Sequence, residues 1–181
     1  MKTNFTLISI GITFVILIIF SSCLSLKPGS MLSGKKLYET FYIGENGTQY
    51  FIKPLTFVND VDEKLEMDIT FKYKNEIKDS AIVNVSLLGK DLIRDVDSIE
   101  ILQDSCDIVL KDVKSLFSEK TKEVFNSRFS AKGLLYDVKK LFDCSEWNII
   151  IYQNGGIKKY KAPKGTVNNI GKLRGEVFML F

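Results

Sequence analysis

The sequence predicts a mainly β to α+β fold. An antiparallel β-sandwich-like domain of about seven to nine strands carries one amphipathic helix near 132–143, behind an N-terminal signal or anchor helix. Three observations predict it. Leu65, Met67, Ile69, Phe71 and Tyr73 alternate with Glu66, Asp68, Thr70, Lys72 and Lys74, and a strict period of two makes one buried and one wet sheet face. Asn154-Gly155 sits between the apolar run Trp147–Tyr152 and a returning Ile157–Lys161, the strongest short hairpin signal. The period then changes over Leu134, Leu135, Val138, Leu141 and Phe142, with Lys139 and Lys140 on the other side; that spacing is one face of a helix of about three turns.

The remaining elements follow in chain order. Leu37 to Ile43 is aromatic-rich, Gly44-Glu-Asn-Gly47 turns the chain, and Gln49 to Val58 reads extended, which together make a hairpin. Pro54 has no N–H to give a ladder and belongs at an edge or a bulge. Asn59 to Lys64 is an acidic loop. After the 65–74 strand and a turn over Asn75 to Asp79, Ala81, Val83, Val85 and Leu87 alternate with Asn84 and Ser86 as a second strand on the same core. Gly89 to Asp97 is a charged connection. Short strands are expected at Ile99–Ile101 and Cys106–Leu110, with Val113–Phe117 as a continuation, Ser118–Lys122 as a polar turn, and Val124–Ser130 extended. Trp147–Tyr152 is a buried-type strand, and Ile157–Lys161 is its hairpin return. Ala162-Pro163-Lys164-Gly165 breaks the chain. Beyond it the sequence is ambiguous: Val167, Ile170 and Leu173 describe a helical face, Gly171 and Gly175 weaken a helix, and Glu176–Phe181 reads equally as a last strand. Phe181, Met179 and Val177 resemble the closing strand of outer-membrane β-barrels, but Phe178 and Leu180 break the alternation.

The N-terminus has the three parts of a secretory signal: Lys2, an uncharged and mainly apolar run from Phe5 to Phe20, and the small residues Ser21 and Ser22. The sixteen residues from Phe5 to Phe20, none of them charged, make a helix of roughly 24 Å, short of the ~30 Å hydrocarbon slab. Phe20-Ser21-Ser22-Cys23 resembles the lipobox of bacterial lipoproteins, with Phe20 where leucine is usual. The resemblance is confined to this segment. It implies cleavage before Cys23, acylation of the Cys23 thiol by palmitate-class chains, and an extracytoplasmic domain held on a bacterial envelope membrane. It implies the following division: 1–22 signal peptide, 23–36 tether, 37–181 one globular domain. An uncleaved single-pass anchor with the same extracytoplasmic domain is the alternative. Leu24 to Lys36, rich in Ser, Gly and Pro, reads as the flexible tether. Within it, Gly29 to Lys36 is one residue short of a phosphate-binding loop and carries Lys36 in place of the Mg²⁺-binding hydroxyl, so it is a chance match.

Composition limits the chemistry. There is no histidine among the 181 residues, which removes Ser-His-Asp and Cys-His catalysis, HExxH zinc sites and every His-ligated metal. No cofactor or metal is expected. Beyond Lys2, 24 basic groups face 22 acidic ones, too even for nucleic acid. The basic groups concentrate late: Lys158, Lys159, Lys161, Lys164, Lys172 and Arg174 against Glu176. With Cys23 assigned to lipid, Cys106 and Cys144 remain. A disulfide between them would stabilise by about 2–4 kcal/mol; two separate buried thiols are the alternative. The acids at Asp60, Asp62 and Glu63 and at Asp91, Asp95, Asp97 and Glu100 lack calcium-loop spacing.

The reading is therefore a membrane-anchored envelope lipoprotein that is a non-catalytic binding or structural module, not an enzyme. A tethered hydrolase using carboxylates is the alternative, and it requires a deep pocket holding two acids. Tyr38, Phe41, Tyr42, Tyr50, Phe51 and Phe57 crowd the first hairpin. Tyr38, Tyr42, Tyr50 and Phe51 are the candidate partner surface, toward another envelope protein or a glycan; membrane lipid is the partner of acylated Cys23. The sequons at Asn46 and Asn84 carry little weight in a bacterial envelope protein.

Overall fold

The computed structural model describes residues 36–74, 80–103, 107–144 and 146–180. The signal segment, the tether through residue 35, Cys23, Cys106, the Asn75–Asp79 turn and Phe181 lie outside them.

The fold is mainly β and antiparallel, a sheet of ten strands curled into a half-barrel with two short helices. The strands are β1 (Tyr38–Tyr42), β2 (Thr48–Val58), β3 (Lys64–Tyr73), β4 (Ser80–Gly89), β5 (Ser98–Leu102), β6 (Ile108–Leu110), β7 (Lys114–Thr121), β8 (Val124–Leu134), β9 (Asn148–Gln153) and β10 (Gly156–Lys161). The helices are α1 (Leu135–Leu141) and α2 (Lys164–Glu176). The order across the sheet is β6-β5-β9-β10-β2-β3-β4-β8-β7, and β1 also pairs with β2. Two portions are joined at one place, where Lys161 of β10 pairs with Val58 of β2. Past that join, β2 turns its free edge to β1, which pairs with it from Thr48 to Ile52.

Both portions share one core, which is what the alternating pattern demands. Leu65, Met67, Ile69 and Phe71 of β3 and Ala81, Val83, Val85 and Leu87 of β4 are buried, as are Ile99, Ile101, Ile149 and Ile151 of the smaller portion. The helices fill the concave side with Leu135, Val138 and Leu141 from α1 and Ile170 and Leu173 from α2. An aromatic chain ties the parts together. Phe57 stacks near Trp147, Trp147 meets Phe142 edge-on, Phe142 stacks on Phe178 at 3.8 Å, and Phe178 reaches Phe71. Trp147 satisfies its indole by donating to the carbonyls of Leu141 and Cys144, each at 3.0 Å. That fixes the turn after α1. The curl nearly brings the two ends of the sheet together: a Cβ on Gly133 of β8 would meet Leu110 of β6 at 2.9 Å.

Local chemistry accounts for the turns. Asn154 and Gly155 both have positive φ, 44° and 75°, as a two-residue hairpin requires. Pro54 lies in the register shift between Ile52 and Leu55, so no ladder bond is lost to it. Gly47 has φ 88° and packs against the backbone of Tyr73, leaving no room for a side chain.

Three local expectations change. β8 continues to Leu134, so the helix is Leu135–Leu141 rather than 132–143, because Ala131 and Gly133 still belong to the β4 ladder. β7 runs through Ser118 to Thr121 and the chain turns at Lys122, whose φ is 59°; pairing with β8 overrides the polar character of 118–121. At the C-terminus the helical face wins: α2 forms from Lys164 to Glu176, and a short 3-10 turn over Phe178–Leu180 stands where a strand was the alternative.

Candidate binding surface

Register brings the outer face of the larger portion into rows. Glu39 of β1 lies opposite Phe51, Phe51 opposite Thr70, Thr70 opposite Ile82 and Ile82 opposite Lys132. Phe41 lies opposite Gln49, and Gln49 opposite Lys72. In the next row toward the middle of the sheet, Asp68, Asn84, Ser130 and Lys114 follow one another across β3, β4, β8 and β7. Both helices bury their apolar faces in the core on the concave side.

This face has an apolar end and a polar middle. Phe41, Ile43, Gln49, Phe51, Thr70 and Ile82 line a shallow depression of about 580 Å³. Phe41 and Phe51 meet edge-to-face at 5.5 Å, yet remain 49% and 40% exposed, and Ile82 remains 38% exposed. A second depression, lined by Lys111, Asp112, Lys114 and Lys132, shares Ile82. In the middle, Arg128 donates to both Asp68 (2.5 Å) and Ser86 (2.8 Å), and Asn84 donates to Asp68 at 2.8 Å. With Arg128 and Asp68 only 24% and 15% exposed, this network is a structural clasp across β3, β4 and β8. Glu39 is likewise matched by Lys53 at 3.2 Å.

The four aromatics chosen from sequence divide between two faces. Tyr38 and Tyr50 pack against the core from its edge. Tyr50 stacks on Phe71 at 4.9 Å, and burial, with its tyrosine neighbours Tyr38 and Tyr73, raises its phenol pKa. Phe51 belongs to the outer depression. Tyr42, 80% exposed, stands at the tip of the hairpin. Phe57 is wholly core. Reasoning from sequence missed Ile43 and Ile82. The signal for Ile82 was there: it is an apolar residue at a wet-face position between Ala81 and Val83.

The acidic clusters have structural employment. Glu63 accepts from Asn59 and from Lys158 Nζ, both at 2.9 Å, and so pins the β2–β3 turn to β10. Burial pushes its carboxyl up, but Lys158, Asn59 and the Lys90 backbone outweigh that, and the pKa is lowered. Glu100 accepts from the Tyr152 hydroxyl at 2.6 Å, which raises the Tyr152 pKa. Asp91 and Asp95 line an open cleft of about 440 Å³ with Arg94, Gln153 and Lys158, a groove of mixed charge. Among the described residues no group of three His, Cys, Asp or Glu side chains could hold a metal. No helix of the described residues is long and apolar enough to cross a membrane. Cys144 lies half-buried in the turn after α1; its partner of choice, Cys106, is outside the described residues.

No protein-family model, no curated protein and no solved structure matches the chain.

Proposed function

We propose that the protein is a bacterial envelope lipoprotein, a non-catalytic binding or structural module held extracytoplasmically through acylated Cys23. The observation that carries this is the order Phe20-Ser21-Ser22-Cys23 at the end of a sixteen-residue uncharged and mainly apolar run, where a peptidase needs small residues and an acyl chain needs a thiol. The lack of any histidine weighs against a hydrolase, and Glu63, Asp68 and Glu100 are used in ion pairs and hydrogen bonds. The exposed aromatics of the β1–β2 hairpin, Phe41 and Phe51, supply the contact surface of the module, with Tyr42 at the hairpin tip.

The test is acylation at the named residue. Cells grown with labelled palmitate are expected to label the wild-type chain, and Cys23→Ser is expected to carry no label and to accumulate as the longer, uncleaved precursor. Equal labelling of the two proteins would contradict the assignment. Each buried acyl CH₂ contributes about 0.8 kcal/mol, so two or three chains hold the domain durably.

A further inference from the structure

We propose that the apolar end of the outer sheet face rests on the surface of the bilayer to which the chain is tethered, Phe41, Ile43, Phe51 and Ile82 entering the headgroup region and Lys72, Lys114 and Lys132 meeting anionic lipid phosphates. The inference rests on the lipid anchor proposed above and names the occupant of that surface.

Three observations support this occupant over a protein or a glycan. The first is chain connection. The Leu37 carbonyl accepts from Lys53 N–H at 2.8 Å, so the chain enters the domain at β1, the strand that carries Phe41. From Cys23 to Tyr38 is fifteen residues, a span of at most about 50 Å when fully extended. Membrane lipid is thus the one large surface always within reach, at the effective concentration that a short linker imposes. The second is composition. Aromatic and branched apolar side chains beside lysines are the pattern of an interfacial surface, apolar bodies entering and long basic side chains reaching to phosphate. The third is charge. Among the described residues the ion pairs on this face are Lys53–Glu39 and Arg128–Asp68, so Glu39 and Asp68 are matched. Lys72, Lys114 and Lys132 are in no ion pair there, and with Lys111 they exceed the single acid, Asp112, of the depression that shares Ile82. A patch of this size binds a bilayer weakly by itself, and the tether converts weak binding into a fixed orientation.

Lipid quenching of an introduced tryptophan tests it. The chain has one tryptophan, Trp147, 1% exposed in the core, which gives a constant background. Full-length protein, extracted from membranes, is reconstituted into vesicles of phosphatidylethanolamine and phosphatidylglycerol with brominated acyl chains. Phe51→Trp should lose about half or more of its added emission. Val61→Trp, in the turn beyond the other end of β2 and 74% exposed, should lose none. Replacing Lys72, Lys114 and Lys132 by Gln should diminish the quenching at position 51. Vesicle flotation is read on the same samples. Protein that floats but shows no quenching at position 51, or equal quenching at 51 and 61, overturns the orientation while leaving the anchor standing, and gives the face to a protein or glycan. Protein that does not float overturns the anchor, and the orientation with it.

Discussion

Glu63 illustrates how an apparently solvated acid becomes structural. Its carboxylate faces Lys158 and Asn59 over Gly89, where a Cβ would collide with it. Because its folded pKa is lowered, the unfolded chain binds the proton more readily, so the stabilisation is present above the ordinary carboxylate value and is lost as pH falls through the folded value. Glu63→Gln should therefore lower stability at pH 7 by roughly 1–2 kcal/mol, the pair being neither fully exposed nor fully dry, with the gap shrinking as the pH is taken down to about 3 and the folded carboxylate takes up its proton. Urea unfolding of both proteins at the two pH values reads this; a gap that does not change with pH would contradict it. Sequence alone showed Asp60, Asp62 and Glu63 as one acidic run. It held no sign that Lys158, 95 positions on, would select one of the three. The Arg128 clasp was hidden in the same way. Asp68, Asn84 and Ser86 read as wet-face residues and Arg128 only as part of an extended stretch, and it takes the β3–β4 and β4–β8 registers to make them neighbours.

Legibility of the elements followed how far local pattern agreed with tertiary demand. β3 and β4 were plain because their period-two alternation is also their burial pattern. The β9–β10 hairpin was plain because Asn154-Gly155 needs the backbone it adopts. α2 was not. Its buried side chains Thr166, Ile170 and Leu173, followed by Val177, recur at three and four residues, but Gly165, Gly171 and Gly175 dilute the helical propensity of the opposite face. Added Cβ atoms at those glycines would meet nothing within 4 Å, so the glycines are not there for packing. Gly171→Ala should thus raise stability by about 0.5–1 kcal/mol, through the backbone entropy that glycine loses in a helix. A thermal-melt comparison checks the sign, and a lowered midpoint would contradict it. β7 was misplaced at its end for the converse reason: all eight of its residues are exposed, so no burial pattern marks the strand, and only its pairing with β8 defines it. As a long edge strand it carries the protective features of such edges, lysines at 114 and 120 and a register shift between Ser115 and Phe117.

At the scale of the molecule, a half-barrel with its helices inside leaves one broad sheet face outward, and the chain's route to Cys23 leaves from the strand at the edge of that face. The fold class could be read from periodicity. The outer face could not, because it depends on which strands become neighbours: Phe41, Phe51 and Ile82 come from three strands and meet only through register. The central claim is that this domain hangs from lipid at Cys23, and the direct measurement is the mass of the N-terminal peptide of protein extracted from its native membrane. The account predicts a peptide beginning at Cys23 and heavier by its acyl chains. A peptide beginning at unmodified Met1 would contradict it.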